Sequence, residues 1–136
     1  MLDMTIDPEV RSRLEQEKVI WLTTIAPSGT PVPNPVWFLL DGDDVVIYTD
    51  PASRKVANIE QQSLVSVHSN SDHDGGDFYV LTGTATLHPG RQPSRFPGYL
   101  DKYRDDIVGP LDTTVEAIDE QYDTEIRVSV DRVRGM

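Results

Sequence analysis

Apolar residues along this chain recur mostly in short alternating runs with the period of two that marks strands. "VIWLTTIA" (19–26) is apolar and β-branched, and it predicts a strand. After the turn chemistry of "PSGTP", the run "VPNPVWFLL" (32–40) predicts a second strand, and "VVIYT" (45–49) a third across a "DGDD" turn. These three predict a meander of hairpins. "LVSVHS" (64–69) and "FYVLTGTATLH" (78–88) give two more strands, and "TEIRVSVDRVRG" (124–135) the last, with Ile126, Val128 and Val130 on one face. Helical periods are fewer. Asp7-Pro8 predicts a helix start, with Asp7 as cap and Pro8 at the first position, running to about Lys18 with Val10 and Leu14 inward. Short helices are predicted at 53–62, with Asp50 or Ser53 as cap, and near 95–107 and 113–122. Six short strands with a few peripheral helices predict a mainly β fold, a six-stranded antiparallel barrel.

Two local conflicts interrupt this pattern. The second strand carries Pro33 and Pro35, and alternation puts both missing donors on the same edge. Proline is confined to edges and bulges because it cannot complete a ladder. Simple edge protection explains this, and so does a flat ring lying beside the strand, using backbone groups of Asn34, Val36 and Phe38. The second conflict is Arg54-Lys55 in the first turn of a predicted helix, where the helix dipole favours anions. An anion held there by helix N–H groups, the Ser53 hydroxyl and two cations resolves it. An ordinary solvated basic pair is the other reading.

Composition then narrows the function. The chain has 136 residues, the size of one domain. Twelve Lys and Arg against 23 Asp and Glu leave a net charge of −11, which disfavours nucleic acid and anionic membrane surfaces as partners. There is no Cys, so no disulfide, thiolate nucleophile or Cys-ligated metal. The opening "MLDMTIDPEV" lacks a basic stretch followed by an apolar one, and no run approaches a membrane span, so a cytoplasmic protein is expected.

Other constellations carry less. His68, Asp72, His73 and Asp74 lack a recognised ligand spacing, and no metal is expected. Ser28-Gly29 is a turn, not a nucleophile elbow. Trp21 is expected in the core, and Trp37 either in the core or stacked near a ligand. Tyr99 and Tyr103, four apart, are expected to pack. No acid–base pair stands out, so no catalytic residue is named.

"YTDPASRK" (48–55) resembles the Y-T-x-x-x-S-R-K signature of the pyridoxamine 5′-phosphate oxidase-like split barrels, and the resemblance runs from about Lys18 to His88. It implies that Tyr48, Thr49, Ser53, Arg54 and Lys55 bind the ribityl-phosphate end of a flavin-type cofactor. It implies that Asn34, Pro35, Val36, Trp37 and Phe38 meet the ring, largely through backbone. It further implies a homodimer with the cofactor between subunits. The oxidases that make pyridoxal phosphate carry a Gln before the long strand, where Phe78 stands nearest here, and a basic C-terminal segment that "VSVDRVRGM" does not match. The short chain, "PVWF" and "RVRG" are closer to a small actinobacterial branch that includes users of the deazaflavin F-420. The resemblance therefore implies hydride transfer between F-420 and a small organic substrate. FMN-dependent oxidation and a non-catalytic flavin-binding module are the alternatives. An F-420 oligoglutamate tail needs a basic patch, for which Arg11, Arg13 and Lys18, joined to Arg54 and Lys55, are the candidates.

Overall fold

The computed structural model describes residues 6–135. Helix α1 (Pro8–Glu15) buries Val10 and Leu14 as expected, but it ends before Lys18, and Asp7 caps it without a side-chain hydrogen bond. Seven strands follow, interleaved with three helices. They are β1 (Val19–Ile25), β2 (Pro31–Trp37), β3 (Leu39–Asp41), β4 (Asp44–Thr49), β5 (Leu64–His68), β6 (Tyr79–Pro89) and β7 (Thr124–Gly135). Helix α2 (Arg54–Gln61) lies between β4 and β5, and a 3-10 turn (Pro93–Arg95), α3 (Tyr99–Val108) and α4 (Val115–Gln121) lie between β6 and β7.

All pairings are antiparallel, in the order β2-β1-β5-β6-β7-β4-β3. The fold is thus the expected mainly β antiparallel barrel with peripheral helices, with one more strand than the six predicted. The extra strand comes from a break at Phe38 within the predicted run 32–40. Its first part pairs with β1 and its last residues pair with β4. The first three predicted strands are therefore not a simple meander. Since β2 and β3 occupy opposite ends of the order with only Phe38 between them, the sheet must curl until its two edges meet.

The break is held by side chains, not by ladder bonds. The Phe38 N–H donates to the Tyr103 hydroxyl at 2.9 Å, and its carbonyl accepts from Lys102 Nζ at 2.9 Å. At the opposite wall, a bulge between Thr82 and Gly83 bends the long β6–β7 pair. A Cβ on Gly83 would stand 2.1 Å from the Ser129 carbonyl oxygen, so only glycine allows this approach.

The barrel interior is filled by the inward residues of each strand, among them Ile20, Leu22, Phe38, Val45, Ile47, Val67, Leu81, Ile126 and Val128, with Val10 and Leu14 of α1 closing one end. The alternation in β1 places Ile20, Leu22 and Thr24 inward. Trp21 therefore lies outside the core, contrary to expectation, stacked on His68 with its indole N–H donated to Asn70 at 2.9 Å. A second apolar cluster of Tyr99, Tyr103, Ile107 and Ile118 joins α3 and α4 to Trp37 and Tyr48. No helix among the described residues is long and apolar enough to cross a membrane.

Candidate functional site

A groove of about 430 Å³ opens between the β2 edge, the end of β4, the first turn of α2 and helices α3 and α4. Pro35, Val36 and Trp37 line it from β2, Tyr48 and Thr49 from β4, and Lys55 from α2. These are six of the ten residues expected at the site, drawn from three segments between positions 35 and 55. The other four sit differently. Asn34 is exposed on β2 and Arg54 is exposed on α2, neither lining the groove. Ser53 precedes α2 as its N-cap, with no side-chain bond to the helix, and its hydroxyl lies 3.2 Å from that of Thr49. Phe38 is buried in the barrel core and borders a separate cavity with Lys102.

The strand register corrects the backbone reading of β2. Pro33 faces Thr23 and Pro35 faces Trp21, and β2 pairs with no other strand. A proline cannot donate, so the positions that exchange bonds with β1 are Val32, Asn34 and Val36. The backbone groups of Asn34 and Val36 are therefore spent on β1, and those of Phe38 on Tyr103 and Lys102. The free edge offers the carbonyls of Pro33 and Pro35 and both backbone groups of Trp37. A ligand against this edge meets acceptors first.

For a flat ligand met by the backbone of this edge, Val36→Ala is expected to change ligand affinity less than about threefold while lowering stability by roughly 1 kcal/mol, since Val36 also packs against the barrel core. Isothermal titration beside a thermal melt checks this, and loss of binding by a fully folded variant would refute the backbone account.

The α2 end of the groove has unpaired positive charge. Lys55 is half-buried and, among the described residues, has no carboxylate within salt-bridge distance. Burial pushes its ammonium below the ordinary lysine range, with Asp50 opposing. The N-terminal cations behave otherwise. Arg11 pairs with Asp43 at 3.1 Å, Arg13 with Glu17 and with Asp77 at 3.3 Å, and Lys18 with Asp106 at 2.8 Å. Among the described residues each of these cations thus has a carboxylate partner, unlike Lys55. Lys18, beyond the end of α1, does not share a helix face with Arg11.

The remaining wall was not singled out from sequence. Tyr99, Leu111, Ile118 and Tyr122 come from the α3–α4 region, and Val19 from β1. Trp37 both lines the groove and stacks on Tyr103 at 4.3 Å between centroids, with planes 2° apart. Tyr99 meets Tyr48 edge-on at 5.6 Å and Tyr103 at 5.1 Å. The four-residue spacing of Tyr99 and Tyr103 signalled packing, and Tyr103 does pack; that Tyr99 also faces a groove depends on where the helix docks. The loop after β5 uses Asp72 to close its own turn, its carboxylate accepting from the Asp74 and Gly76 N–H groups at 2.8 Å each.

A profile of the pyridoxamine 5′-phosphate oxidase family matches residues 6–136. The chain belongs to this family. No curated protein matches it in sequence. Among solved structures, an F-420 reductase is similar at 23% identity and a TM-score of 0.75, over 95% of this chain and 98% of that one. The heme storage protein HutZ from Vibrio cholerae is similar at 13% identity and a TM-score of 0.66, over 97% and 95%. General Stress Protein 26 from Bacillus anthracis is similar at 15% identity and a TM-score of 0.65, over 92% of each chain. At these identities the likenesses establish a shared fold.

Proposed function

We propose that this protein is a hydride-transferring oxidoreductase that holds deazaflavin F-420 in the groove and acts on a small organic substrate. The observation that carries this reading is the meeting, in one groove, of the acceptor edge of β2, the Tyr48-Thr49 strand end and an unpaired, half-buried lysine. A flat ring bearing N–H donors suits the edge, and a phosphate suits Lys55. A ring and a ribityl phosphate are the parts that FMN and F-420 share, so the residues present fit the group. The similarity to an F-420 reductase supports the deazaflavin.

When bound, the cofactor supplies the hydride chemistry. Trp37, Tyr48, Tyr99 and Tyr122 would exclude water from the ring, and Lys55 would hold the phosphate, with the exposed Arg54 beside it adding positive charge from outside the groove. The groove opens to solvent, and its occupancy between two copies of the chain in a homodimer is part of the proposal. FMN is the second reading, favoured by one observation. Arg11, Arg13 and Lys18 are already ion-paired with Asp43, Glu17, Asp77 and Asp106, which disfavours them as the holders of an oligoglutamate tail.

Parallel binding titrations with F-420 and FMN, each oxidised and reduced, test the reading. Tighter FMN would move the cofactor to the second reading, and binding of neither would refute both. Lys55→Ala is expected to weaken the bound cofactor roughly 10–100-fold, since a hydrogen bond to a charged group contributes about 1.5–3 kcal/mol. Unchanged affinity by fluorescence titration would place the phosphate elsewhere.

A further inference from the structure

Glu125 is a carboxylate with 2% exposure at the start of β7, directly opposite Tyr48 in the β4–β7 register. Its two oxygens divide their partners. Oε1 accepts from the Tyr48 hydroxyl at 3.1 Å, while Oε2 lies 2.6 Å from Arg91 Nη1 and 3.5 Å from Arg127 Nε. Arg127 is in turn held by Asp41 at 2.8 Å and Asp44 at 3.1 Å. A buried carboxylate is costly unless paired, and this one is paired with charge on one oxygen and with a groove residue on the other.

The arrangement is not needed for the Arg127 network, which keeps two aspartates without it. Nor does it make Tyr48 acidic. Burial and then the Glu125 charge push the Tyr48 hydroxyl up, so it keeps its proton and stays a donor. With that hydroxyl committed to Glu125, Tyr48 offers the groove its ring and not a polar atom.

We propose that Glu125 is a positioning residue of the groove: it tethers the Tyr48 hydroxyl and so fixes the Tyr48 ring, edge-on to Tyr99, as the wall against which a flat ligand packs. The consequence for ligand binding rests on the cofactor reading above; the tether itself does not.

Glu125→Met and Glu125→Gln separate positioning from stability. Glu125→Met leaves no buried charge unpaired, because Arg91 is half-exposed to solvent and Arg127 keeps Asp41 and Asp44, so the variant is expected to melt within a few degrees of the wild type. Gln keeps a hydrogen bond to Tyr48 in either amide orientation. The direct readout is fluorine NMR of protein labelled with 3-fluorotyrosine, its five tyrosine lines assigned by substitution. The Tyr48 line should be single and sharp in the wild type and in Glu125→Gln, and broadened or split in Glu125→Met. The functional readout is a double-mutant cycle on F-420 and FMN affinity. Glu125→Met and Tyr48→Phe should each weaken binding by about 10-fold, and the double variant no further, because both remove the same tether. Glu125→Gln should stay within about threefold of the wild type.

A sharp, unshifted Tyr48 line in Glu125→Met overturns the proposal. So does additivity in the cycle, or a Gln variant as weak as the Met variant. If the wild type binds neither cofactor, the cofactor reading fails by itself, and the fluorine line decides the tether.

Discussion

Tyr103→Ala is expected to lower the melting temperature by roughly 10–20 °C, the largest stability loss we expect from a single aromatic side chain here. Removing a fully buried aromatic ring costs about 3–5 kcal/mol through lost burial and the cavity left behind, and each kcal/mol shifts a domain of this size by roughly 3–5 °C. Tyr103 is fully buried. Its ring is stacked on Trp37 and tilted against Tyr99. Its hydroxyl accepts from the Phe38 N–H at 2.9 Å and donates to the Lys18 carbonyl at 2.6 Å. The substitution therefore strips the support from Trp37 and orphans a buried backbone N–H at the break between β2 and β3.

Tyr103→Phe isolates the hydroxyl. It should cost about 1–3 kcal/mol, the penalty for an unsatisfied buried donor, while the Trp37 stack survives. Thermal melts rank the variants, and Trp37 fluorescence reports the stack: its emission should shift to the red in Tyr103→Ala and hold in Tyr103→Phe. An alanine variant melting within 3 °C of the wild type would show that the break is held elsewhere.

The break itself marks the limit of what the sequence conveys. Alternation and β-branching located the strands, because a sheet with one buried face writes its period directly into the chain. Phe38 carries no such mark. It is one apolar residue in an apolar run, and the agents that interrupt the ladder there, Tyr103 and Lys102, lie more than sixty positions away. The same reason explains the N-terminal cations. Arg11, Arg13 and Lys18 read as a free basic face until the fold brings Asp43, Asp77 and Asp106 beside them.

The groove was half legible. Pro35, Val36 and Lys55 announced themselves through local conflicts, prolines in a strand and a cation at a helix start, whereas Tyr48, Thr49 and a ligand-facing Trp37 came through the resemblance to the family signature. A local conflict is visible in sequence because the rule it breaks is local. The aromatic wall from α3 and α4 breaks no rule, so nothing distinguished Tyr99 or Tyr122 from ordinary packing residues. Glu125 was hidden for a related reason. At the β7 start Thr124, Glu125 and Ile126 are all buried, so alternation fails to separate the faces.

Reversing both cations at the start of α2, Arg54→Glu with Lys55→Glu, is expected to weaken FMN and F-420 alike by about 1000-fold or more, roughly 4 kcal/mol. Loss of a single cation leaves the other and the first-turn N–H groups to hold a phosphate. Reversal places two anions where the phosphate is proposed to sit, in a chain already at −11. The change should spare the fold. Arg54 is exposed, Lys55 has no carboxylate partner among the described residues, and Glu in the first turn of a helix complements its dipole. Melting temperature should therefore hold or rise slightly while binding collapses.

A pH dependence adds an independent sign. Burial lowers the Lys55 pKa, so its charged form is lost as pH rises, and lost before an ordinary lysine would titrate. Phosphate binding favours the charged form. Wild-type affinity should accordingly fall on the alkaline side, below the pH at which free lysine deprotonates, and the double variant should lack that fall. Fluorescence titrations across pH, with melts alongside, measure both. A double variant that keeps affinity within about fivefold of the wild type would remove the phosphate from the start of α2 altogether.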